Sequence, residues 1–265
     1  MTSEGFLHPP ESRGKLPLLL LAGLTIGIWL CVQIQQGINT NIGCVTLGAL
    51  RILSGERMAE GFYHPNTPLS YLIYLPPALL IRFLGIPLYY ATFVYTVALT
   101  ALSTAAAWRC LVVLGIDRNT RLVFIISYLV SGTLLPGHYF GDREHLIMLG
   151  LIPLSLVQIA ITRGRKPGWT LTGPVVVFGT IAALVKPQFL VVPGLLALHR
   201  LAVWRNLRAF VAADSLLIAA TTLFYLAIVL VFFQDFITLI LPDMLTLYVS
   251  LFRDQSSLLG AFILC

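Results

Sequence analysis

The amino-acid sequence predicts an all-α polytopic membrane protein with about seven to eight transmembrane helices and juxtamembrane helices in a long first external loop. Three observations carry that expectation. Of the 265 residues, 58% are hydrophobic and only 11% charged, with a mean hydropathy of +0.89. A soluble domain carries about 25% charged residues, so this chain has too little polar surface to face water all round. The apolar residues gather in runs close to the roughly 20 residues a helix needs to cross a bilayer. The basic residues behind the formal charge of +6 lie in short clusters between those runs. That arrangement sets membrane orientation, and no nucleic-acid partner is read from it. The cysteines (Cys31, Cys44, Cys110, Cys265) are scattered without metal-ligand spacing, so neither a disulfide framework nor a metal site follows from them.

Taken in order, residues 1–15 are polar, contain His8-Pro9-Pro10 and read as a cytoplasmic tail, and residues 16–265 form a single transmembrane domain. Leu16–Ile34 is long for a signal-peptide core and lacks a small-residue cleavage site, so it reads as an uncleaved first span. The further apolar runs are Pro68–Ile86, Leu88–Leu114, Leu122–Pro136, His145–Thr162, Trp169–Val185, Phe189–Val203 and Phe210–Phe233. Asp235–Phe252 follows, interrupted at Pro242-Asp243. Charge decides which of these cross. The clusters Arg13/Lys15, Arg109/Arg118/Arg121, Arg163/Arg165/Lys166 and Arg200/Arg205/Arg208 share the cytoplasmic side only if Pro68–Ile86 does not span. That segment also carries Pro76-Pro77, which break a helix, together with Arg82 and the interfacial aromatics Tyr71 and Tyr74. It reads as a juxtamembrane or re-entrant helix. Residues 35–87 then form the first external loop and residues 137–145 the second. The last apolar run, Ser257–Cys265, is about half the length of a span and reads as an eighth span cut short.

Two external stretches hold chemistry. In the first loop, Ile42, Val45, Ala49, Leu50 and Leu53 recur at helical spacing and Gly55 stops the helix. A polar, aromatic, proline-rich stretch with Tyr63, His64 and Asn66 follows, which lines a cleft or serves as an interfacial connector at headgroup level. The second loop, His138-Tyr139-Phe140-Gly141-Asp142-Arg143-Glu144-His145, places two carboxylates, an arginine and two histidines in one turn. Such a set can bind an anionic group and move a proton. The plainer alternative is that Asp142 and Glu144 cap the next helix, which calls for neither Arg143 nor the histidines. Lys186, before Pro187, is either a snorkelling anchor or a point charge for a phosphate. Asp214 reads as a helix-end residue, and Asp243 and Asp254 lie on the external side. No Gly-rich phosphate loop, zinc motif or nucleophile elbow is present.

After the first span, the strings RILSGERMAEGFYHPNTPLSYLIYLPP, YFGDREHLIMLGLIPL and LVKPQF occur in that order. The layout resembles the polytopic glycosyltransferases of the C superfold, which use lipid-phosphate-linked sugars; protein O-mannosyltransferases, aminoarabinose transferases and oligosaccharyltransferases are relatives. The resemblance covers Leu16 to Phe189. It implies a multi-pass protein of a bacterial inner membrane, surrounded by membrane lipid, with its N-terminus in the cytoplasm. It implies transfer of a sugar from a polyprenyl-phosphate donor to a glycan, lipid or protein acceptor on the periplasmic face. Asp142 or Glu144 is then the base, and His145 orients it or relays a proton. Arg143 and Lys186 neutralise the lipid phosphate, while Tyr63, His64 and Asn66 line the cleft. A divalent metal is compatible with the resemblance, and the sequence specifies none. One departure matters. Such enzymes carry an Asp or Glu just after the first span, whereas this chain has Gln35-Gln36-Gly37-Ile38-Asn39-Thr40-Asn41. Asn39 and Asn41 can hydrogen-bond a sugar or acceptor but cannot take a proton. Either Asp142 or Glu144 (less so Glu56 or Glu60) supplies the carboxylate, or the chain is a non-catalytic scaffold or flippase-like subunit of an envelope polysaccharide system. A transporter is disfavoured, because no internal repeat is visible and the spans are largely uncharged at mid-depth.

Overall fold

Helix boundaries in this chain follow the local chemistry of its turns. The computed structural model describes residues 15–61, 66–247 and 249, and these are helices joined by short turns. The helices are α1 (Lys15–Gln36), α2 (Thr40–Leu53), α3 (Met58–Gly61), α4 (Leu69–Leu72), α5 (Leu75–Leu84), α6 (Leu88–Val113) and α7 (Arg118–Thr133). They continue with α8 (Arg143–Thr162), α9 (Trp169–Val185), α10 (Val191–Trp204), α11 (Ala213–Phe232) and α12 (Phe236–Leu247), whose first five residues form a π-turn. Short polar side chains start several of them by accepting backbone N–H groups that have no partner inside the helix. Asn39 accepts from Asn41 N, Asp117 from Asn119 N and Thr120 N, and Asp142 from Arg143 N.

Among the described residues, four helices are long and apolar enough to cross a membrane: Leu88–Val113, Arg143–Thr162, Pro187–Trp204 and Ala213–Phe232. Of the other expected spans, the first and Trp169–Val185 give shorter apolar stretches (Gly23–Gln33 and α9), Leu122–Pro136 falls in the 16-residue α7, and the expected eighth, Ser257–Cys265, lies outside the described residues. Only 6% of the most apolar window of α11 is buried, and Leu223, Phe224, Leu230 and Phe232 are exposed along it. An apolar face of that extent suits lipid better than water. The segment Pro68–Ile86, expected as one juxtamembrane or re-entrant helix, gives two, α4 and α5. The prolines also act differently from the expectation. Pro76 and Pro77 fall in the first turn of α5 and begin it, because the N–H groups they lack have no intrahelical acceptor there. The helix expected over Ile42–Leu53 is α2. Ile42, Val45 and Ala49 are buried, and Gly55 ends the run at φ 81°.

The core centres on α8, which packs against α6, α9 and α10. Leu146, Leu149, Leu154 and Val157 are fully buried on it. Its seam with α9 is backbone against backbone: a Cβ at Gly150 would lie 2.5 Å from Ala182 Cβ and 3.2 Å from Gly179 Cα. Pro153 interrupts α8 and removes the N–H that would bond the Leu149 carbonyl. Ser103 Oγ of α6 donates to that carbonyl instead and bonds the Tyr128 hydroxyl of α7 at 2.6 Å, so three helices share one polar junction.

Arg200, grouped by sequence with Arg205 and Arg208, is buried. Arg200 and Asp214 are both fully buried and form a two-point ion pair between α10 and α11, with Arg200 Nη1 2.7 Å from Asp214 Oδ1. Asp214 does stand in the first turn of α11, but its carboxylate faces the guanidinium. Hydropathy counting does not expose such a pair, because the two residues are 14 positions apart across a turn.

Candidate functional site

Separate loop segments meet at the N-terminal end of α8. Asn41, in the first turn of α2, donates its amide N–H groups to both oxygens of Asp142, at 2.8 and 2.9 Å. Asp142 Oδ1 also accepts the Arg143 backbone N–H at 2.7 Å. The Arg143 guanidinium donates to Asn41 Oδ1 at 3.2 Å and to Asn66 Oδ1, and its Nε lies 3.9 Å from Asp142 Oδ1. Four side chains from the first and second loops thus form one network. Asp142 and Arg143 are 4% and 9% exposed, so the network forms a floor that solvent scarcely reaches.

The surrounding contacts fix that floor in place. The Tyr74 hydroxyl, at the start of α5, donates to the Gly141 carbonyl at 2.6 Å. Burial pushes its pKa well above the ordinary tyrosine value, so the phenol keeps its proton. Gln33 of α1 donates to the Gly137 carbonyl at 2.5 Å, and Thr67 donates to the Val185 carbonyl at 3.0 Å, one residue before Lys186. On the other side of α8's first turn, Glu144 pairs with Lys186 at the end of α9. The Glu144 side chain is half-exposed, and that of Lys186 is 29% exposed. Both can meet a ligand from outside.

Asp142, Glu144 and His145 line an open groove of about 480 Å³ between α7 and α8, which continues past Leu135 and Pro136 to Ser131 and Met148. A polar mouth therefore runs onto an apolar helix surface. His145 is buried: its Nδ1 accepts the Gly141 N–H at 3.0 Å, its ring lies 5.0 Å from that of Phe140, and its Nε2 faces Gly132 of α7 without reaching hydrogen-bond geometry. With Nδ1 as acceptor the neutral ring carries its proton on Nε2. His138 lies apart, beside Asn39, Gln33 and Tyr89 at a cavity of about 20 Å³. Asn39 caps α2 and holds Asn41 at 2.8 Å without entering the network. Tyr63 and His64 lie outside the described residues.

The expectations for this loop thus divide. Asn41, Asn66, Asp142 and Arg143 come together, Glu144 and Lys186 pair beside them, and His145 supports the turn. Asp142 is the helix cap and the partner of Asn41, and Arg143 spends its guanidinium on Asn41 and Asn66. Lys186 is no isolated charge, since Glu144 answers it. Neither Tyr74 nor Gln33 was read from the sequence as part of the site. Tyr74 looks like any interfacial aromatic, and Gln33 carried no signal. No group of three or more His, Cys, Asp or Glu side chains among the described residues is placed to hold a metal ion. Comparison with protein families, with curated proteins and with solved structures found no match.

Proposed function

We propose that the chain is a membrane glycosyltransferase that moves a sugar from a polyprenyl-phosphate donor to an acceptor hydroxyl at the N-terminal end of α8. The observation that carries the reading is the exposed Glu144 carboxylate, which lines the α7–α8 groove and pairs with Lys186, beside the buried Asn41–Asp142–Arg143–Asn66 floor. A lipid-linked donor requires both parts, with charge for the phosphate and an apolar path for the chain. In this reading α1, α7 and α9 also cross, since helices of 16 to 22 residues approach or fall within the range of about 17–25 used by spans. The basic clusters face the cytoplasm of a bacterial inner membrane, and the second loop faces the periplasm.

Glu144 is the base, because of the two second-loop carboxylates it is the exposed one. It takes the proton of the acceptor hydroxyl as that oxygen attacks the anomeric carbon. The bond from that carbon to the phosphate oxygen breaks, and its electron pair leaves with the polyprenyl phosphate. Lys186 meets the developing negative charge. Asp142 and Arg143 position the first turn of α8, and Asn41 occupies the place where the resembled enzymes carry an acid. The alternative, a non-catalytic scaffold of an envelope polysaccharide system, is favoured by one observation: both Asp142 oxygens are already engaged by Asn41.

Full-length protein in proteoliposomes, supplied with radiolabelled polyprenyl-phosphate hexoses and pentoses and an envelope lipid and glycan extract, discriminates the two. The expected result is label transfer that Glu144→Gln lowers by about 10²–10⁴-fold, while Asp142→Asn has the smaller effect. Undiminished transfer by Glu144→Gln, or none by the unmodified protein with any donor, overturns the transferase reading in favour of the scaffold.

A further inference from the structure

A second groove lies toward the opposite end of α6 and α8, away from the Asp142 cluster. It holds about 410 Å³ between α6, α8 and α9, and Leu99, Leu102, Ala105 and Phe178 are among the side chains that line it. Its floor has no unmet polar group at Ser103, whose hydroxyl is spent on the Leu149 carbonyl and Tyr128. At one end stands Arg109, exposed and without an ion pair among the described residues.

We propose that this groove binds one anionic phospholipid, with the phosphate at Arg109 and one acyl chain laid along the groove toward Leu99. The proposal needs only that these helices cross a membrane, and it is independent of sugar transfer. Depth supports it. Arg109 is about one turn from the end of α6 at Val113, which puts its guanidinium at headgroup level. From Arg109 to Leu99 the helix rises about 15 Å, half of a hydrocarbon core of roughly 30 Å. That is the reach of one chain in one leaflet. Trp169, 64% exposed at the start of α9, marks the same interface.

Charge complementarity chooses the headgroup. The α6–α7 and α8–α9 turns touch, since a Cβ at Gly115 would lie 3.6 Å from Arg165 Nη2. Arg118, Arg163, Arg165 and Lys166 therefore share this end with Arg109, against Asp117 as the acid of these turns. A basic pocket between membrane helices is a recognised setting for anionic headgroups. A zwitterionic lipid fills the groove equally well but gains nothing from the excess positive charge.

The test is native mass spectrometry of the detergent-solubilised full chain, with phosphatidylglycerol or phosphatidylcholine of identical acyl chains. The unmodified protein is expected to retain one phosphatidylglycerol in preference to phosphatidylcholine. Arg109→Gln lowers phosphatidylglycerol retention about fivefold, the equivalent of one surface cation's attraction, and leaves phosphatidylcholine unchanged. Ala105→Phe, at an exposed position on the groove wall, lowers both. Arg163→Gln, outside the groove, changes neither. Equal retention of the two lipids, an Arg109→Gln protein that behaves like the unmodified one, or an equal loss in Arg163→Gln overturns the proposal. The last result points to diffuse surface charge instead.

Discussion

Replacing Asp214 with Leu leaves the Arg200 guanidinium buried with no counter-charge. Both side chains of this pair are 0% exposed. The partners left to Arg200 are neutral: Thr162 Oγ1 at 3.3 Å, Ser215 Oγ at 3.4 Å and the Ala209 carbonyl at 3.5 Å. Breaking a buried pair from one side costs about 3–5 kcal/mol. For a chain of this size that lowers the unfolding midpoint by about 6–20 °C, at about 2–4 °C per kcal/mol. Removing both charges together in Arg200→Met/Asp214→Leu restores most of the loss, because the desolvation cost of both ions disappears with their attraction. Thermal unfolding of the three proteins in one detergent, followed by circular dichroism, gives the comparison. A single variant that loses less than about 1 kcal/mol, or a double variant as unstable as the single, refutes the claim that the charges face each other in a dry site.

Three further outcomes follow from other parts of the fold. Gly150→Ala forces its Cβ against Ala182 Cβ and the Gly179 backbone; the parting of α8 and α9 costs about 1–3 kcal/mol, read as a lower unfolding midpoint, and Ala182→Gly in the same chain recovers part of it. Tyr74→Phe leaves the Gly141 carbonyl without its buried donor, a loss of about 1–3 kcal/mol that the same unfolding assay detects. Asp117 is exposed at the start of α7, and hydrogen bonds from Thr120 and Asn119 hold its carboxyl below the ordinary aspartate value. A depressed folded-state pKa gives stability that is present above the unfolded value and lost as pH falls through the folded one. An acid titration of α7 helicity is therefore expected to show a small loss in that window, absent in Asp117→Asn.

Much of the architecture was legible because periodicity and turn chemistry are local. The helix over Ile42–Leu53 and its stop at Gly55 follow from spacing and from one residue that tolerates positive φ. The prolines were read as breakers when they are starters, because their effect depends on whether they enter a helix or begin one. At the site, the 142–145 string announced itself by its density of charge. Which partner each charge takes was hidden, since Asn41 is 101 residues from Asp142 and Lys186 is 42 from Glu144. The Arg200–Asp214 pair was hidden for the same reason. A basic residue near a turn looks solvated until the helix that covers it is known.

The glycine seam between α8 and α9 has a consequence for timing at the mouth of the groove. Glu144 begins α8 and Lys186 closes α9, so both belong to a hairpin fastened by main-chain contact six or seven residues away at Gly150 and Gly179. Such a hairpin has little freedom to slide or splay, and the distance between the two Cα atoms is effectively set. A visitor that parts carboxylate from ammonium must do so by turning side chains about their χ angles, an event of picoseconds to nanoseconds at exposed positions. Entry at this point is therefore a matter of rotamer exchange, orders of magnitude faster than the microsecond-to-millisecond rearrangement of whole helices.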